Sequence, residues 1–406
     1  MTTEHATPNP YTHIDNARLM DGRIVRLTMD QGTITAIVPM AGLPRDASND
    51  QALDLQQALL LPALIDGHVH LDKTMLGLPW LPHAAGADRT SRIDYDKKIL
   101  PNLPVSTRER AGNLIQRCVT HGSGFLRSHV DIDTDCRLDR LHGVLQARED
   151  HAHRIDIQLV AFPQSGVIRD PGTLDLLDQA IRAGADLVGG MDPCSIDRDP
   201  AGQLNGIFDI AQRHSVGIDI HLHETGELGL FSLQEICRRA KALGMRHHVT
   251  VSHGFCLGTI PESSALAAAE MMADAGVMLA THGAAKWPLP PLALLRNQGV
   301  IVFAGNDGIR DTWTPYGTGD VLERAALIGW RADYRYDEQI GHAFELVTSA
   351  AAQALGINDY GIAVGNRADF FSVPAENLQA AVTGFPPRGW VIKAGRVVAH
   401  NGQIMP

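Results

Sequence analysis

Eight short apolar runs, each followed by a helix-like segment, constrain this chain more than any other feature. They occupy residues 59–65, 124–131, 155–162, 185–190, 216–223, 248–253, 276–280 and 299–305. From the second onward they recur about every 25 to 35 residues, the size of one βα unit. Eight such units predict an α/β fold, a (β/α)8 TIM barrel, and 406 residues suffice for one with additions.

Helix boundary signals fall between the runs. Thr173 precedes an apolar-periodic stretch over 174–183 with Gly184 behind it, and the Ala-rich stretch 265–275 ends at Gly276. Ser232-Leu-Gln-Glu235 reads as a capping box opening a helix over 233–243, with Gly244 ending it. The connection over 71–106 is too long and too rich in Pro and Gly for a plain βα loop, and is expected to cover the barrel mouth.

Both ends of the chain read as short strands. Turns are expected at Asp21-Gly22, Gln31-Gly32 and Ala394-Gly395. Neither end has enough strands for a stable sheet alone, so the termini are expected to pair into one small β-sandwich domain. The division read from this is 1–58 and 358–406 for the two parts of that domain, and 59–357 for the barrel.

Bulk composition limits the partners. A net charge of -11 without a Lys/Arg cluster speaks against binding a nucleic-acid backbone. Five widely spaced cysteines without a C-x-x-C suggest neither a disulfide framework nor a zinc-thiolate site, which fits a reducing cytoplasm. Residues 1–8 lack a charged n-region and an apolar h-region, and no later stretch approaches the length of a membrane span, so neither export nor membrane insertion is expected.

Catalytic groups of a TIM barrel sit at the C-terminal ends of its strands. The first run leads into His68-Val-His70, the fifth into His221, His223 and Glu224, the sixth into His253 and the eighth into Asp307. Residues i and i+2 of a strand share a face, so His68 and His70 converge, and so do His221 and His223. Pattern alone does not choose between the last two. Imidazole and carboxylate without thiolate suit Zn or Fe as the divalent metal. His129 and Asp131 end the second run and Gln164 follows the third. Phe162, Trp313 and the segment Leu78-Pro-Trp80 are candidate flat walls, whereas His247, His248 and His282 read as structural or surface histidines.

The ordered set His68-x-His70, His221, His253 and Asp307, within a barrel flanked by split β strands, resembles the amidohydrolase superfamily. More narrowly it resembles the branch of cytosine deaminase and N-isopropylammelide amidohydrolase, through Ser128-His-Val-Asp131, Ala161-Phe-Pro-Gln164, Ile220-His-Leu-His-Glu224 and Asn306-Asp-Gly-Ile-Arg-Asp-Thr-Trp-Thr-Pro315. The resemblance implies one divalent metal held by His68, His70, His221 and Asp307. It also implies a hydrolytic deaminase that releases ammonia or an amine from a small pyrimidine or triazine, with metal-activated water as nucleophile. Glu224 would shuttle protons, His253 would orient the water and Asp307 would take its proton. Gln164 and Trp313 would contact the ring. The chain departs from cytosine deaminase at Gly308, where that enzyme has a second acid, and matches the triazine enzyme at Lys73. The competing readings are an amidase acting on a cyclic or linear amide, and a non-catalytic homologue that binds metal and ligand. A cytoplasmic homo-oligomer is expected in either enzyme case.

Overall fold

The computed structural model describes residues 11–41, 43 and 51–406; the N-terminal run read above for export signals lies outside them. Eight parallel strands form the barrel, paired in chain order: Leu64–Val69, Ser123–Asp131, Asp156–Phe162, Leu187–Met191, Gly217–Leu222, Val249–His253, Val277–Thr281 and Val302–Ala304. The ring closes where Asp307 pairs in parallel with Val69, its N–H donating to the His68 carbonyl at 2.7 Å. Two glycines permit this closure. A Cβ on Gly67 would fall onto the Phe303 ring, and one on Gly305 would fall onto the His68 backbone.

The first apolar run is not one strand. It breaks at Ala63: Leu59–Pro62 pairs antiparallel with Phe370–Val373 in the terminal sheet, and the first barrel strand begins at Leu64. Strand alternation explains the uninterrupted leucines, because Leu60 faces the core of the terminal sheet while Leu59 and Leu61 face that of the barrel. Among the described residues the terminal sheet has nine strands from both ends of the chain, and Leu59–Pro62 is the seam between them, flanked by His13–Arg18 and Phe370–Val373.

Helices fill the spaces between barrel strands. Thr173–Ala183 and Glu262–Ala275 end at Gly184 and Gly276, both left-handed, as read from the sequence. The helix after the fifth strand differs. It runs from Gly226 to Ala242, so Ser232 lies in mid-helix and is no cap. Its hydroxyl instead donates to Glu224. Within 71–106 a helix, Arg89–Ile99, capped by Asp88, stands over the C-terminal ends of the strands and brings Arg89, Arg92 and Asp96 to the mouth. Among the described residues no helix is long and apolar enough to cross a membrane.

Candidate metal centre and cavity

The strand ends bring His68, His70, His129, His221 and His253 into one cluster, with ring centroids of His68 and His221 4.7 Å apart and of His221 and His253 4.9 Å apart. Ligand atoms of His68, His70 and His221 lie within 4.8 Å of one another, and so do those of His68, His253 and Asp307. Asp307 Oδ1 is 3.3 Å from His70 Nε2 and 3.6 Å from His68 Nε2. His253 and Asp307 both take left-handed backbone, with φ of 74° and 63°. That conformation is costly for a residue with a Cβ and recurs where function fixes a side chain.

A hydrogen-bond chain sets the tautomer of His68. The Ser252 hydroxyl donates its single proton to Asp219 Oδ1 at 2.6 Å, so it must accept from His68 Nδ1 at 2.9 Å. His68 Nε2 therefore carries a lone pair. That atom, His70 Nδ1, both nitrogens of His221 and Nε2 of His253 are buried without a hydrogen-bond partner. Burial and the neighbouring imidazoles hold His221 and His253 well below the usual range, and burial followed by Lys73 brings His70 to about 4. For Asp307, burial alone would raise the carboxyl, but His282, His68 and His70 reverse this and hold it well below the usual range. Neutral imidazoles with unused lone pairs beside an ionised carboxylate are the donor set that a divalent cation takes, so these residues fit a metal.

His70, His221 and Asp307 border an inner cavity of about 180 Å³. Its far wall is a network of charges. Lys73 Nζ lies 3.0 Å from Asp131 Oδ1 and donates to Gln164 Oε1. Gln164 Nε2 donates to Asp96 Oδ2 at 3.0 Å and to Asp131 Oδ2 at 3.3 Å. Asp96 also accepts from Trp313 Nε1 at 2.7 Å and from the Thr312 hydroxyl. Burial would lower Lys73, but Asp131, Asp96 and Asp72 more than offset it and its pKa is raised. Burial pushes Asp96 up to about 6.

Gln164 and Trp313, expected to contact the ring, line the cavity with their N–H groups committed to Asp96 and Asp131. Glu224 lies elsewhere. Its Oε1 accepts from the backbone of Cys194 at 2.8 Å and Ser195 at 2.6 Å, its Oε2 from Ser232, and it does not line the cavity. Glu224, which the resemblance expects to shuttle protons, here has its carboxylate engaged in tying the loop after the fourth strand to the helix after the fifth. His223 lines the cavity instead, and its Nδ1 is 2.9 Å from Asp192 Oδ2. Asp192 is buried, which would raise its carboxyl, but His223 and Arg89 reverse this and lower it.

His282 was read as structural, yet it lines the cavity with Nε2 3.5 Å from Asp307 Oδ2 and Nδ1 2.9 Å from His253 Nδ1. It follows Thr281, the last residue of the seventh strand, so strand-end position was the signal for it. Asp311 was also missed. It lines the cavity, its Oδ1 accepts from Trp313 and Thr314 backbone, and its carboxylate stands where a side chain on Gly308 would have to go.

Comparison with known proteins agrees with this architecture. A model described as "Amidohydrolase family" matches residues 51–399. N-isopropylammelide isopropyl amidohydrolase of Pseudomonas sp. (strain ADP) is 30% identical over 364 residues, covering 87% of this chain and 89% of that one. The crystal structure of N-isopropylammelide isopropylaminohydrolase from Burkholderia multivorans ATCC 17616 superimposes with a TM-score of 0.92 at 41% identity, over 97% of this chain and 99% of that one. 5-Methylcytosine deaminase from Klebsiella pneumoniae, solved with phosphonocytosine, gives 0.85 at 28% identity, over 96% of this chain and 98% of that one.

Proposed function

This chain belongs to the amidohydrolase family, and from that premise we propose that it is a metal-dependent hydrolytic deaminase that releases ammonia or an amine from a small triazine or pyrimidine. One observation carries the reading: unpartnered imidazole nitrogens and the Asp307 carboxylate converge on a cavity whose other walls are Phe162, Trp313, Lys73 and Gln164. That combination offers a flat ring an apolar slot with polar groups at its edge.

In this reading His68, His70, His221 and Asp307 hold one divalent ion, zinc or iron. When bound, it supplies the Lewis acidity that makes water nucleophilic at neutral pH. The chain does the rest. Asp307 accepts the proton that the attacking water gives up, and His253, held by His282, orients that water. Lys73 has one N–H left after Asp131 and Gln164, and Gln164 Oε1 has one lone pair left after Lys73. These two present a donor and an acceptor side by side to the ring edge. His223, backed by Asp192, carries the proton that the leaving amine needs, the role the sequence gave to Glu224.

Five free cysteines suit a reducing compartment, which supports a cytoplasmic enzyme. Exposed Tyr316 and Trp330 on one face support a homo-oligomer, measurable by light scattering. The deciding experiment incubates zinc- or iron-loaded protein with N-isopropylammelide, cytosine, 5-methylcytosine and an open-chain amide. Amine or ammonia release from at least one ring is expected. Hydrolysis confined to the amide would establish the amidase reading instead.

A further inference from the structure

The inner cavity opens into a second chamber of about 320 Å³. The two share Arg92, His223, His282, Asp307 and Trp313, so their junction lies beside the metal-binding residues. A ring seated against Lys73 and Gln164, with its reacting carbon at Asp307, has its breaking C–N bond at that junction. Whatever the leaving nitrogen carries must extend into the second chamber.

The chamber has aromatic walls in Phe255, Trp287 and Trp313 and three cations, Arg89, Arg92 and Lys286. The Arg92 guanidinium stands 5.8 Å from the Trp313 ring and Lys286 Nζ stands 5.0 Å from the Trp287 ring. Neither cation forms an ion pair among the described residues, whereas Arg89 beside them is neutralised by Asp192 at 2.8 Å. Of the two carboxylates in the lining, Asp88 accepts from the Ser91 N–H and hydroxyl, and Asp307 stands at the junction against His70 and His282. An unneutralised ammonium and guanidinium over aromatic faces are complementary to an apolar arm ending in an anion.

We infer that the leaving amine carries a short apolar arm ending in a carboxylate, which fills this outer chamber between Arg92 and Lys286. The inference rests on the heterocycle-deaminase reading above. In the reaction the water oxygen bonds to the ring carbon and the C–N bond breaks. The arm departs as a primary amine bearing one proton from water, and the ring keeps the oxygen. The enzyme acts on rings N-substituted by an amino acid-like group, in preference to rings that release ammonia.

Three ammelide derivatives test this, with 2-carboxyethyl, 2-carbamoylethyl or isopropyl on the exocyclic nitrogen. The carboxyethyl compound is expected to exceed its carbamoyl isostere about tenfold in kcat/KM. That preference should collapse in an Arg92→Gln/Lys286→Gln double variant and in about 0.5 M salt. Equal values for the two in the unmodified enzyme overturn the inference. Should none of the three be hydrolysed, the deaminase reading fails first, and calorimetric titration of the zinc-loaded protein with the same compounds then decides the chamber. About tenfold tighter binding of the carboxyethyl compound upholds it, and equal or absent binding rejects it.

Discussion

Both walls of the inner cavity are polar and buried, yet they treat their polar groups in opposite ways. On the histidine side, His221 keeps both nitrogens unpaired and His68 and His253 keep one each. On the lysine side, Lys73, Asp131, Gln164 and Asp96 satisfy one another within a few ångströms. Unpaired polar atoms in a dry interior are expensive, so the first wall is complete only with something bound to it. The second wall holds itself together without a ligand, and keeps only one Lys73 N–H and one Gln164 lone pair for the ring. Metal binding should therefore be concentrated in one wall and metal-free stability in the other.

The largest effect expected from this contrast is on the histidine side. His221→Ala should cut bound metal from about one ion per chain to a small fraction of that, and lower amine release by about a thousandfold or more. In metal-free protein the same change should cost only about 1–2 kcal/mol of packing against Phe162, whose ring stacks on His221 at 4.0 Å. Elemental analysis and urea unfolding of the stripped protein measure the two halves. A stripped variant that loses about 3 kcal/mol or more, as a broken buried pair would, would erase the distinction between the walls.

Lys73→Met should behave in the reverse way. It leaves Asp131 with Arg140, at 2.6 Å, as its remaining cation and removes the charge that lowers Asp96. Breaking one side of a buried pair costs about 3 kcal/mol or more, and metal content should stay near one per chain. Retention of full stability would show that the lysine wall is not a closed network.

A third contrast separates two residues that adjoin in sequence. His223→Ala should lower kcat about a hundredfold, the usual range for loss of a proton carrier, whereas Glu224→Gln should change it by about fivefold or less. Glutamine keeps an acceptor for the Cys194 and Ser195 N–H groups and so preserves the loop. If Glu224→Gln is the more damaging of the two, the carboxylate swings into the cavity during turnover and the assignment reverts to Glu224.

The histidine wall was legible in the sequence because strands delivered it. His70, His221, His253 and Asp307 each end or closely follow an apolar run, and the fold puts all such ends in one place. The lysine wall was legible only in part. Gln164 and Asp131 follow or end strands, but Asp96 comes from the helix Arg89–Ile99 inside a long connection, where no periodicity says which residue turns inward. The surroundings of Glu224 were hidden for a related reason: its partners Cys194, Ser195 and Ser232 lie 30, 29 and 8 residues away, and spacing along the chain does not register them. The split of the run at Ala63 was hidden because both halves are equally apolar, and only the pairing of Leu59–Pro62 with Phe370–Val373 reveals it.

A pH-dependent effect tests whether the cavity lining has any unsatisfied member. Burial raises Asp311 to about 7, with the charge of Asp96 adding to it. A carboxyl raised in the fold binds its proton more tightly than in the unfolded chain. Between the ordinary carboxyl value of 3.8 and about 7 the native state therefore holds more protons, and stability falls as pH rises through that window. Above it the penalty is constant. Asp311→Asn keeps an acceptor for the Trp313 and Thr314 N–H groups but cannot ionise, so it should unfold at higher urea than the parent at pH 8 and at nearly the same urea at pH 4.5. The difference should grow by roughly 1 kcal/mol per pH unit between those limits. A difference that is flat with pH would mean that Asp311 is ionised throughout, held so by the charge of Lys73.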